Sequence, residues 1–235
     1  MAENVPHPDS DRPHLILVTR ASRGLTGSGG RLGVLGGAYN PITHAHLVLA
    51  RAALEQAHLD EVLFVLSKIP PHKRIEGATI DQRLEMMRLA VAEVPCAAVG
   101  LCTHGLFLDI ATALREGYQG KLEVFFIVGR DAAERILTWP YPDPAAALQE
   151  MFTAFQLLVF RRRGEFTLPA LHLLQRYADR IRALRLREDL DWISSTAVRE
   201  QAAAGRPLQG LVPEAVAAYI RRHGLYRACP CENSP

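Results

Sequence analysis

Gly36-Gly37-Ala38-Tyr39-Asn40-Pro41 and, directly after it, Ile42-Thr43-His44-Ala45-His46 stand between a short apolar run and an amphipathic stretch. Two glycines after a strand let backbone amides approach a phosphate with no Cβ in the way. Thr43 and His46 add donors near the positive end of the helix that follows. Ile193-Ser194-Ser195-Thr196 with Arg199 offers the same chemistry: hydroxyls and open amides at a helix start, and a guanidinium one turn on that grips phosphate through two N–H groups. A capping box is the plainer reading there, but Thr196-Ala197-Val198-Arg199 lacks the Glu or Gln that the box requires three residues after the cap. Both segments read as anion cradles.

Other candidates are weaker on residue type alone. Only Lys68, Lys73 and Lys121 are lysines, and Lys73 closes the turn-like Pro70-Pro71-His72-Lys73, where a solvated side chain is the ordinary outcome. Trp139 is either core or a flat ring presented by a loop that Pro140, Pro142 and Pro144 stiffen. Arg161-Arg162-Arg163 reads as a solvated charge run. Gly27 to Gly30 imitates a dinucleotide fingerprint, but its spacing fails at Leu32, which argues against a Rossmann dehydrogenase. Cys229 and Cys231 have no partner pair at zinc spacing, so no metal is assigned to side chains.

The elements that must position these residues follow from periodicity. From Arg31 onward short apolar runs alternate with longer helical patterns, the mark of an α/β, doubly wound parallel sheet of Rossmann-like type. Strands are expected at 32–35, 61–66, 97–101, 122–128, 155–160 and 181–184, and helices at about 46–57, 80–93, 108–116, 168–179, 195–204 and 213–223. A flexible leader is expected over residues 1–30, rich in Pro, Asp, Ser and Gly, then one domain over 31–226 and a tail over 227–235. Right-handed crossovers then place the ligand crevice at the carboxyl ends of the strands, where both cradles fall.

Composition narrows the function classes. The 235 residues are 49% hydrophobic and 22% charged, values of a packed domain and not of a disordered chain. With 27 basic against 25 acidic residues the net charge is +2, so no electrostatic footprint for nucleic acid is present, while a small anionic ligand stays open. Four cysteines are too few for a disulfide scaffold and fit a reducing cytoplasm. The longest apolar run near the start, Leu15 to Val18, is too short for a signal core or a bilayer span, so no membrane partner is expected.

The first segment resembles the signature of the nucleotidylyltransferase superfamily related to class I aminoacyl-tRNA synthetases, a Gly-x-[Phe/Tyr]-[Asp/Asn]-Pro stretch followed by [His/Thr]-x-Gly-His. Thr43 and His46 fill its donor places, Ala45 stands where glycine is usual, and His44 falls at the variable place. Further segments are similar to one branch, the nicotinate/nicotinamide mononucleotide adenylyltransferases. Pro70-Pro71-His72-Lys73 looks like its Pro-Pro-His-Lys loop, and Arg83 with Met86 like its arginine-bearing helix. Gly129-Arg130-Asp131 with Trp139 looks like its Gly-x-Asp and distal tryptophan, and Ile193 to Arg199 like its Ile-Ser-Ser-Thr-x-x-Arg element. Leu211 to Tyr226 resembles its closing helix, so the likeness runs from Leu32 to Tyr226 in order.

The resemblance implies a nucleotidylyltransferase fold and adenylyl transfer from ATP to a pyridine mononucleotide, releasing pyrophosphate. It implies His46, Thr43, Lys73 and Arg199 as catalytic residues. Gly36, Gly37, Ala38, Tyr39, Gly129, Asp131, Ile193, Ser194, Ser195 and Thr196 would bind ATP, and Asn40, Lys73, Phe107, Asp109 and Trp139 the mononucleotide. Mg²⁺ would arrive on the ATP phosphates. Bacterial members carry a Ser-Tyr-Thr-x-Asp-Thr-like stretch that helps bind the pyridine, where Gly105-Leu106-Phe107-Leu108-Asp109-Ile110 keeps only Asp109. The choice between nicotinate and nicotinamide mononucleotide therefore stays open, as does self-association. So do another adenylyl- or cytidylyltransferase, a nucleotide sensor that does not turn over, and an interaction module built on the basic region from Arg161 to Arg187.

Overall fold

The structure is a computed structural model and describes residues 12–27, 29–67, 77–160, 172–186 and 190–227. Seven strands form one sheet: β1 (Leu15–Thr19), β2 (Gly29–Gly37), β3 (Glu61–Ser67), β4 (Ala97–Cys102), β5 (Lys121–Gly129), β6 (Gln156–Phe160) and β7 (Ile181–Leu184). Their spatial order is β1-β4-β3-β2-β5-β6-β7. All neighbours are parallel except the edge pair of β1 and β4. The chain runs outward from β2 to β4, then crosses to β5 on the other side of β2. The carboxyl ends of β2 and β5 therefore flank the point where the winding reverses, the place such sheets keep for ligands.

Alternation along each strand sends side chains to two faces. Val62, Phe64 and Leu66 of β3 face α1 (His44–Gln56), α2 (Ile80–Val91), α6 (Ser195–Ala203) and α7 (Glu214–Arg222). Leu63 and Val65 face α3 (Phe107–Gly117), α4 (Arg130–Leu137), α5 (Pro144–Ala154) and a 3₁₀ segment, His172–Arg180. A sheet covered on both faces explains why the central strands read as unbroken apolar runs. No helix among the described residues is long and apolar enough to cross a membrane.

Three expectations need correction. The leader over 1–30 holds the edge strand β1, which pairs antiparallel with β4 in a register from Leu15 opposite Cys102 to Thr19 opposite Val99. Glu61 then anchors the following stretch, accepting from the Leu25 N–H at 3.0 Å. The proline-stiffened loop after Trp139 ends at α5, because Pro144 sits in the first turn, where a missing N–H costs nothing, and Asp143 caps it by accepting from Ala146 N–H at 3.0 Å. The helix expected at 168–179 is a kinked 3₁₀ segment from His172 onward, broken at Tyr177. The Arg161-Arg162-Arg163 run, Cys229 and Cys231 lie outside the described residues.

Candidate active site

The β2–α1 connection is built around buried polar groups. Thr43, fully buried, is the N-cap of α1. The His46 Nδ1 accepts the Thr43 N–H at 3.1 Å and lies 2.8 Å from Thr43 Oγ1. An acceptor Nδ1 leaves the ring proton on Nε2, so the imidazole presents a donor edge at the helix start. Tyr39, only 2% exposed, meets the His46 ring edge-on at 5.2 Å between centroids, and its hydroxyl donates to Leu35 O. Its phenol is therefore a core prop for His46, not a wall against ATP. Burial pushes the Tyr39 hydroxyl well above the usual tyrosine range.

The second cradle docks onto this connection. Ser194 caps α6 by accepting from the Ala197 N–H at 3.0 Å. Ser195 Oγ donates to Pro41 O at 2.7 Å, and Arg199 donates to Asn40 O at 2.9 Å and to Thr196 Oγ1 at 3.2 Å. The three adjacent hydroxyls thus divide into cap, latch and brace. Two distant residues, whose hydrogen-bonding partners sequence reasoning missed, hold the same loop. Arg83 donates to Ala38 O at 3.0 Å, and Tyr226 Oη donates to Asn40 Oδ1 at 2.8 Å. Burial raises the Tyr226 pKa, opposed by the nearby Arg199 and Arg83. An arginine within an otherwise amphipathic helix, buried on α2, was the available signal for this role.

Two adjoining cavities open here. One, of about 170 Å³, lies at the switch point between Gly36, Ala45 and His46 on one side and Gly129, Ala132 and Phe160 on the other. A Cβ placed on Gly36 would meet nothing within 4 Å, whereas one on Gly37 would come within 3.0 Å of the Tyr39 ring. Gly36 thus faces open space suited to a phosphate. The other cavity, of about 410 Å³, is mainly apolar and is walled by Leu106, Phe107, Ile136, Trp139 and Tyr141. Phe107 and Ala132 line both, so the two cavities are neighbours. Trp139 is 49% exposed, which decides for a presented ring over core.

The expected residues do not all converge. Asp131 extends into solvent at 84% side-chain exposure, close to Arg130 at 3.6 Å. Asp109 is the first-turn acid of α3, near Cys102, and lines neither cavity. Asn40 is 7% exposed and serves as the hub of the loop, and Ile193 is buried core. Lys73 lies outside the described residues.

An outward-wound, mainly parallel sheet whose β2–α1 connection is latched at the switch point to the start of α6 is the architecture of a Rossmann-like nucleotidyltransferase. Comparison with known proteins agrees. The cytidylyltransferase-like family model matches residues 34–201, and the chain belongs to that family. It is 37% identical over 206 residues to a Thermus thermophilus protein named "Probable nicotinate-nucleotide adenylyltransferase", covering 84% of this chain and 100% of the relative. A Thermoanaerobacter protein of the same name is 31% identical over 203 residues, covering 84% of this chain and 94% of the relative. The fold matches the Plasmodium falciparum nicotinic acid mononucleotide adenylyltransferase complexed with NaAD, with a TM-score of 0.61 at 16% identity, over 84% of this chain and 97% of that one.

Proposed function

We propose that this protein transfers the adenylyl group of ATP to the 5′-phosphate of a pyridine mononucleotide, giving the dinucleotide and pyrophosphate in NAD biosynthesis. The observation that carries this reading is the 2.7 Å bond from Ser195 Oγ to Pro41 O, which binds two phosphate cradles into one site. That site adjoins a cavity with an indole and a phenyl ring on its walls, sized and shaped for a flat heterocycle. The names of the relatives support the same acceptor class.

The acceptor phosphate is already anionic, so its oxygen attacks the α-phosphorus with no base to take a proton. A new P–O bond forms as the bond from the α-phosphorus to the oxygen bridging to the β-phosphate breaks, and pyrophosphate leaves with that electron pair. Catalysis reduces to alignment and charge neutralisation. The His46 Nε2–H and the amides near Gly36 and Gly37 face the triphosphate, with Thr43 holding the His46 ring. Ser195, Thr196 and Arg199 receive the departing pyrophosphate, and Lys73 meets the attacking phosphate.

The donors at the site are amides, hydroxyls, an imidazole and a guanidinium, which suit phosphate oxygens. Among the described residues no three His, Cys, Asp or Glu side chains gather as a cation cage. Mg²⁺ would arrive on the ATP phosphates, where it would offset charge on the leaving group. A cytoplasmic location is part of the same proposal, since four cysteines in 235 residues are too few for a disulfide scaffold. Pyrophosphate release, measured with ATP and each pyridine mononucleotide in turn, tests the reading. Release with neither acceptor would overturn it.

A further inference from the structure

Nothing in the cradles distinguishes one pyridine mononucleotide from the other; that choice falls to the aromatic cavity. Its walls are poor in donors. Gly105, Leu106 and Phe107 offer no side-chain hydrogen bond, and the Tyr141 hydroxyl is spent on Ile136 O at 3.1 Å. One lining side chain carries charge, Arg135 in the last turn of α4. The carboxylates on that helix lie with another partner: Asp131 and Glu134 each stand 3.6 Å from Arg130 Nε. Among the described residues no carboxylate pairs with Arg135.

An unpaired guanidinium at the rim of an apolar cavity is suited to a planar anion, because its fork matches both oxygens of a carboxylate. A carboxamide gives it one acceptor and leaves an NH₂ group facing a cation. We infer that Arg135 is the specificity-determining residue of this site, selecting the carboxylate-bearing nicotinate ring over the nicotinamide ring when either stacks against Trp139. This rests on the adenylyl-transfer reading above and deepens it. Arg135 takes the place of the hydroxyl donors that are missing from Gly105 to Ile110, as a further lining residue of the same cavity.

The test compares kcat/KM for nicotinate and nicotinamide mononucleotides, with ATP and magnesium, in the wild type, Arg135→Met and Arg135→Lys. Arg135 is exposed, so these variants keep the fold, which thermal unfolding verifies. The wild type should favour nicotinate mononucleotide. Arg135→Met should cut the nicotinate-to-nicotinamide ratio by about tenfold, the low end for a charged hydrogen bond because the site is open to water. Arg135→Lys, which keeps the charge and loses the fork, should fall between. A wild-type preference for nicotinamide mononucleotide, or a fall of less than about fivefold in Arg135→Met, would overturn the inference while adenylyl transfer stands. Failure of both acceptors in the wild type would overturn the adenylyl-transfer reading itself.

Discussion

Replacing His46 with alanine removes two separable things, and the geometry assigns a size to each. The first is a donor. With Nδ1 accepting the Thr43 N–H at 3.1 Å, the ring proton sits on Nε2, the donor the proposed reaction uses. Losing one such transition-state donor costs about 2.7–4 kcal/mol, so kcat should fall about 10²- to 10³-fold, with the KM for ATP changed only a few-fold. The second is a cap. The Thr43 N–H loses its side-chain acceptor, worth about 1 kcal/mol, which lowers Tm by about 2–4 °C in a chain of this size. The start of α2 supplies the control: Thr79 N–H donates to Gln82 Oε1 at 2.9 Å, and Gln82 N–H donates to Thr79 Oγ1 at 3.2 Å. His46→Gln should restore that arrangement at α1 and recover Tm, yet stay at least about tenfold below wild type in turnover, since the amide does not place a proton where Nε2 does. Steady-state pyrophosphate release and thermal unfolding measure both effects. Folded His46→Ala with wild-type turnover, or His46→Gln recovering turnover along with Tm, would refute the donor assignment.

Gly36→Ala should leave Tm within about 1 °C, because its Cβ meets no protein atom within 4 Å, but raise the KM for ATP about tenfold by filling phosphate space. Gly37→Ala should instead lower Tm, since its Cβ would lie 3.0 Å from the Tyr39 ring; equal effects in both would refute the open-face assignment. Arg199→Lys keeps the charge but cannot bridge Asn40 O and Thr196 Oγ1 together, so kcat/KM should fall at least about tenfold, and an unchanged value would remove Arg199 from the site. Tyr39, Tyr226 and Tyr118, whose buried hydroxyl donates to Glu61, all have pKa values raised above the usual tyrosine range, first by burial. They hold protons that the unfolded chain gives up above about pH 10, so their stabilisation is intact below that pH and is lost as pH climbs towards the raised folded values. Tm should be level from about pH 7 to 9 and fall beyond 10, less steeply in Tyr118→Phe; a Tm that rises across that interval would contradict the sign.

The central strands were legible because parallel strands buried on both faces leave plain apolar runs, as Val124 to Val128 does. β1 was not, because four apolar residues amid Pro, Gly and Asp carry no signal of their own, and their partner β4 lies some 80 residues downstream. α5 hid behind Pro144, a residue that breaks helices inside and starts them at the first turn. At the site, both segments stood out by residue type, the first as a strand-to-helix turn between β2 and α1 and the second as a run of hydroxyls at the start of α6. The Arg83 and Tyr226 ties did not, because their common target, Ala38 to Asn40, is set by folding and not by spacing.

The two tryptophans of the chain are both solvent-facing, Trp139 on the acceptor cavity and Trp192 two residues ahead of the Ser194 cap. On the proposed reading, each half of the reaction has its own fluorophore nearby. In single-indole versions, quenching of Trp139 should report arrival of the pyridine and a change at Trp192 occupancy of the triphosphate side, so that stopped-flow traces would read the order of substrate addition without any attached dye.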